Sequence, residues 1–128
     1  MKMKAFFPGK FQPPHIGHIL TISKLMNTFD VIIGISPDTP RIISQVEVKR
    51  IFKEIFGERV EYFIFDNVLT TYTSINKFPH FDIVLTGNDD VVAWAKRIKL
   101  NVEKIPRSKC IGGNGTELRF LYGRKRDG

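Results

Sequence analysis

A single cysteine, Cys110, in 128 residues leaves no partner for an intrachain disulfide, and no Cys/His cluster stands at zinc-ligand spacing. There is no apolar run of about 18 or more residues, so no membrane-spanning helix is expected. The opening MKMKAFFPGK is basic, but its apolar run is too short for a secretory signal. Repeats, low-complexity tracts and linker-like composition are all missing, so one domain over residues 1–128 is the expected organisation. No Ser/His/Asp or Cys/His set suggests covalent catalysis. No RNA or DNA module, and no interleaving of basic and aromatic residues, suggests a specific nucleic-acid partner. The expected location is the cytoplasm, with no membrane partner.

What remains is an ordinary globular composition, 42% hydrophobic and 26% charged, with a net charge of +7. Such a surplus fits a lysine-rich solvated surface, attraction of polyanions such as nucleoside triphosphates, or nucleic-acid binding.

Along the chain, strands alternate with helices. Met3 to Phe7 is apolar and β-prone and is closed by Pro8-Gly9. Ile19, Ile22, Met26 and Phe29 recur at steps of three and four, predicting a helix of roughly four turns. Val31 to Ile35 reads as a doubly covered parallel strand, followed by a loop at 36–40. Ser44-Gln45-Val46-Glu47 has capping-box spacing. The helix it opens carries Val48, Ile51, Phe52, Ile55 and Phe56 on its apolar face and is closed by Gly57. Strands are expected at Val60 to Phe65, Ile83 to Leu85 and Leu100 to Ile105, and a helix at Val91 to Ile98. Residues 66–80 are ambiguous, with Thr70 to Ser74 a candidate short helix, and Gly115 to Tyr122 reads as a last short helix. This pattern predicts an α/β, doubly wound Rossmann-like domain of about five parallel strands. Ligands of such folds sit beyond the carboxyl ends of the strands, where the loops at 9–18, 36–40, 86–89 and 106–116 would gather.

The most informative stretch is Gly9 to His18, GKFQPPHIGH, between the first strand and the first helix. A helix start offers free N–H groups and the positive end of the dipole, which suits phosphate. His15 and His18 are three apart, so on a helical first turn both imidazoles point the same way. With Lys10 they would stabilise charge developing on phosphate oxygens, the main requirement of phosphoryl or nucleotidyl transfer. A helix cap for the histidines and a solvated surface for Lys10 are the plainer readings.

PPHIGH resembles the HxGH signature of the nucleotidyltransferase superfamily. GKFQPPHIGHI is similar to the opening of archaeal-type nicotinamide-nucleotide adenylyltransferases, which usually carry Arg at the position of Lys10. GGNGTELR, Gly112 to Arg119, is similar to the SGTEIR form of the family's ISSTxxR motif, and FDIVLTGN, Phe81 to Asn88, resembles FDVVYTGN. The resemblance implies that His15, His18, Lys10 and Arg119 are catalytic. It implies that Gly9, Phe11, Gly17, Gly87, Asn88, Gly115 and Thr116 bind the nucleotide. Tyr72 falls near a Trp that stacks on the nicotinamide ring in relatives, and Arg50 near an arginine of the family, which makes both acceptor-binding candidates. A packed aromatic and a solvated helix face are the plainer alternatives, as a turn and helix cap is for Asn88. His80 is expected to be structural or solvated, and Trp94 to belong to the core.

The implied function is transfer of AMP from ATP to a phosphorylated acceptor. The best single expectation is nicotinamide mononucleotide, giving NAD and pyrophosphate with Mg²⁺ as cofactor, in a homo-oligomer. CTP with a small phosphorylated alcohol, and a nucleotide-binding module without turnover, are the rival readings.

Overall fold

The computed structural model describes residues 2–37 and 42–106. The described chain runs β1 (Met3–Gly9), α1 (Ile16–Leu25), β2 (Phe29–Ile35), α2 (Gln45–Phe56), β3 (Glu61–Ile64), β4 (Ile83–Thr86), α3 (Asp89–Arg97) and β5 (Val102–Lys104). The five strands form one sheet in the order β3-β2-β1-β4-β5, every neighbouring pair parallel, which is the expected doubly wound arrangement.

Alternation along β1 divides the core in two. Phe7 faces α1 and α2, packing with Ile22, Val48, Phe52 and Phe56. Phe6 faces the other way, onto a layer built from Phe65, Phe78, Phe81 and Trp94. Its ring stacks on Phe81 at 4.9 Å between centroids, with Phe78 edge-on at 5.8 Å. Trp94 is fully buried, as expected of a core residue, and its indole N–H donates to the Tyr72 carbonyl at 2.8 Å.

Several boundaries differ from the sequence pattern. α1 stops at Leu25, short of four turns, because Asn27 and Thr28 bond back to Lys24 and Leu25 in tight turns. Met26 becomes the C-cap and Phe29 opens β2, yet both still pack against the core. Their apolar period therefore continues past the helix that it predicts. In α2 the face narrows to Val48, Phe52 and Phe56, leaving Ile55 exposed. Ser44 Oγ accepts the Glu47 N–H at 3.1 Å, and Gly57 closes the helix at φ 59°. Residues 66–80 contain only a 3-10 turn, Leu69–Thr71, in place of a helix at 70–74. The helix expected at Gly115 to Tyr122 lies outside the described residues.

His80 is exposed and reaches Asp82 Oδ1 at 3.3 Å, at the amino end of β4. No described helix is long and apolar enough to cross a membrane.

Gly34 marks the tightest packing between β1 and β2. A Cβ there would lie 2.4 Å from Phe6 Cζ, and the Phe6 ring is held on its other sides by Phe65, Phe78 and Phe81. Gly34→Ala should therefore cost about 1–3 kcal/mol of unfolding free energy through overpacking. Adding Phe6→Leu should cost less in that background than in the wild type, because the shorter side chain vacates the clash. Urea unfolding of the four proteins measures this coupling; additive effects would rule the steric account out.

Candidate functional site at the sheet switch point

β1 and β4 lie side by side, but their chains leave in opposite directions. α1 follows β1 over one face of the sheet, and α3 follows β4 over the other. A crevice opens at such a divergence, beyond the carboxyl ends of the strands. The register pairs Phe6 with Val84, and carrying it three residues on sets Gly9 level with Gly87. The loops 9–18 and 86–89 thus flank the crevice from its two sides.

On the α1 side, the helix is capped by its own two histidines. His15 Nδ1 accepts the Gly17 N–H at 3.0 Å, while His18 Nδ1 accepts the His15 N–H at 3.0 Å. This is a reciprocal capping box made of imidazoles, and it satisfies two amides that a helix start would otherwise leave open. The rings stack with centroids 3.7 Å apart and planes 23° from parallel. The cap, the plainer of the two readings of these histidines, is made by Nδ1 of each ring and leaves Nε2 outside it. A neutral imidazole that accepts at Nδ1 carries its proton on Nε2. Neither Nε2 is hydrogen-bonded to another described residue.

Burial keeps the pair neutral. It lowers the pKa of His15, and burial together with the neighbouring His15 charge pulls His18 down to about 3. α1 carries no acidic residue in its first turn, so nothing cancels the positive end of its dipole. α3 differs: Asp89 and Asp90 fill its first turn, and Lys104 pairs with Asp89 at 2.8 Å. Of the two helix starts on the crevice, that of α1 is electrostatically the one for an anion.

The remaining candidates take varied places. Lys10 follows β1 on the same loop, half-buried, with no ion pair among the described residues. Gly17 is buried in the first turn of α1. At Gly9 a Cβ would meet the Phe11 ring at 2.7 Å, so its lack of a side chain makes room for Phe11 as well as for any ligand. Phe11 itself has a left-handed backbone, φ 51°, and a side chain only 3% exposed. Its ring stands edge-on to His18 at 4.8 Å and to Phe52 at 4.9 Å. It supports the histidine from beneath and offers a nucleotide only backbone.

Asn88 is the N-cap of α3, its Oδ1 accepting the Asp90 N–H at 2.8 Å and its own N–H bonding Thr86 Oγ1 at 3.0 Å. Gly87 and Asn88 border an open hollow of about 770 Å³, lined also by Asp89, Asp90 and Lys104. Tyr72 is a packed aromatic, edge-on to Phe78 at 5.0 Å, with its hydroxyl donating to Asp66 at 2.6 Å. Arg50 is exposed on α2 and held between Glu47 and Glu54. The structure does not bring either of these two to the histidines. Gly115, Thr116 and Arg119 lie outside the described residues.

Gln12 and Gln45 carry weight that sequence reasoning missed. Gln12 sits between the GKF and PPH parts of the loop and bonds the backbone at Ile42 and Ile43. Gln45 donates to the carbonyls of Ile35 at 2.9 Å and Phe65 at 2.8 Å, tying the ends of β2 and β3 together. Their only sequence signal is position: a long amide beside a strand end with open carbonyls.

The histidine pair has a consequence for stability. Both groups are neutral when folded but regain the ordinary value of 6.5 when unfolded, so the unfolded chain binds more protons below that pH. Stability should be fully present above pH 6.5 and fall as the pH drops, by up to about 1.4 kcal/mol per pH unit for the His18 proton, with His15 adding in the same direction. Between pH 6.5 and 4.5 the wild type should lose more than His18→Asn, as read by urea unfolding. Equal slopes would contradict the neutral pair.

The cytidylyltransferase-like family profile matches residues 6–109. Nicotinamide-nucleotide adenylyltransferase 1 of Sulfolobus acidocaldarius is 32% identical over 136 residues, covering 93% of this chain and 77% of that protein. The nicotinamide-nucleotide adenylyltransferase of Methanosarcina acetivorans is 25% identical, covering 91% of this chain and 75% of that protein. Among solved structures, a bifunctional NMN adenylyltransferase/ADP ribose pyrophosphatase from Francisella tularensis, complexed with AMP and manganese, superposes with a TM-score of 0.57. At 17% identity, over 98% of this chain and 43% of that one, this likeness speaks for the fold alone. With its profile spanning most of the sequence and a relative above 30% identity over nearly all of it, the chain belongs to the cytidylyltransferase-like family.

Proposed function

We propose that this chain is a nucleotidyltransferase that moves AMP from ATP to nicotinamide mononucleotide. A phosphate oxygen of the acceptor attacks the α-phosphorus in line, forming the new P–O bond. The bond to the bridging oxygen breaks, and pyrophosphate leaves with the electron pair. The observation that carries this reading is the pair of neutral Nε2–H donors at the acid-free start of α1, on the switch-point crevice. Donors fixed before the reaction cost no reorganisation when charge builds on the phosphate oxygens. Lys10 adds a point charge without the bidentate fork that an arginine would bring. Arg119 and Thr116 are assigned to the leaving pyrophosphate by motif resemblance. The acceptor is chosen because the archaeal relatives named above, aligned over nine-tenths of the chain, are nicotinamide-nucleotide adenylyltransferases.

A divalent ion, Mg²⁺ in this reading, lowers the negative charge of the triphosphate when bound. No group of three or more His, Cys, Asp or Glu among the described residues could hold a metal ion. The ion is therefore assigned to phosphate oxygens and water rather than to a protein cage.

Pyrophosphate release, with ATP and CTP each crossed against nicotinamide mononucleotide and phosphorylated alcohols, tests the proposal. Turnover is expected with ATP and the mononucleotide. His15→Asn keeps a residue that caps helices well but removes the Nε2–H donor. It should fold normally yet lose about 10²–10³ in kcat. Undiminished turnover in the variant, or turnover only with CTP, would overturn the assignment.

A further inference from the structure

Gln12 lies three residues before His15, and among the described residues its side chain bonds the backbone of both its own loop and the segment entering α2. Its Oε1 accepts the N–H groups of Ile42 and Ile43. Its Nε2 faces three carbonyls, Ile43 at 3.1 Å and Lys10 and Phe11 at 3.3 Å each. One half-buried amide thus satisfies backbone groups of two loops that leave the carboxyl ends of neighbouring strands, β1 and β2. No strand or helix bond holds residues 10–14, because β1 ends at Gly9 and α1 begins at Ile16. The prolines at 13 and 14 have no N–H to offer. Phe11 sits at positive φ, a conformation that a phenylalanine adopts only when its surroundings impose it.

We infer that Gln12 is the positioning residue of the site: a latch that fixes Lys10, Phe11 and, through them, the His15–His18 cap against the segment entering α2. Three-way bonding to Lys10, Phe11 and Ile43 sets where the loop backbone lies. Phe11 then carries that placement to His18 through their edge-on contact at 4.8 Å. Without the latch, the helix and sheet persist, but the donors at the start of α1 lose their fixed aim. The nucleotide part of this inference rests on the proposed function; the positional part does not.

The test begins with amide hydrogen exchange on the unliganded wild type, Gln12→Ala, Gln12→Glu and Gln45→Ala. Gln12→Ala should speed exchange at the His15 and Gly17 amides, the two held by imidazoles, by about tenfold or more. Amides bonded between β1 and β2 should keep their wild-type rates. Gln12→Glu keeps the shape and both accepted bonds but loses the donors, so the same local acceleration is expected to a smaller degree. Gln45→Ala, which also loses two bonds to backbone, should lower the melting temperature without touching those two amides selectively. Calorimetric titration with ATP should then show about tenfold weaker binding in Gln12→Ala and none of that loss in Gln45→Ala. Unchanged His15 and Gly17 exchange, or acceleration spread evenly over the sheet, would overturn the latch. Should the wild type bind no ATP while the local acceleration appears, the latch stands and the proposed function fails.

Discussion

The site depends on two hydrogen bonds between imidazole nitrogens and backbone amides. A helix start must satisfy its open N–H groups, and here His15 and His18 do so with Nδ1. That choice forces the proton onto Nε2 in each ring, fixes both planes and stacks them at 3.7 Å. Capping through Nδ1 is therefore compatible with the donor role proposed for Nε2. The cap is what orients the donors, and the burial that the cap requires is what keeps them neutral. A charged pair at that spacing would repel itself and would also lose its acceptor atoms.

The sheet places this device. Among the described α-helices, α1 and α3 follow the neighbouring strands β1 and β4 over opposite faces, so the loops 9–18 and 86–89 part at the carboxyl edge there. Phe6 and Phe7 hold the junction from both faces. Gly9 and Gly34 give way to the rings of Phe11 and Phe6 respectively. Acidic residues at the start of α3 and none at the start of α1 then sort the two helix ends by charge. An anion entering the crevice meets one attractive end and one already compensated by its own carboxylates.

Much of this was legible in the sequence, for identifiable reasons. The doubly wound parallel sheet follows from strands alternating with helices, and the helix start at His15 follows from prolines followed by histidines three apart. Less legible were the features that depend on distant backbone. Phe11 reads as a ligand residue by its neighbours in the chain, but the hollow beneath His18 and beside Phe52 takes its ring. Arg50 reads as a phosphate ligand until Glu47 and Glu54, one turn away on each side, are seen to hold it. Gln12 and Gln45 bond carbonyls and amides 10 to 31 residues away, a relation that no local pattern encodes.

The most direct measurement is the ¹⁵N–¹H long-range NMR spectrum of the histidine rings, followed from pH 7.5 downwards on the unliganded protein. The account requires His15 and His18 both to show an unprotonated Nδ1 and a protonated Nε2 at neutral pH. It also requires His18 to hold that state well below the ordinary histidine range, in keeping with a pKa of about 3. An Nδ1–H tautomer in either ring, or an imidazolium at neutral pH, would mean that the cap does not set the donors, and the account of the site would fail with it.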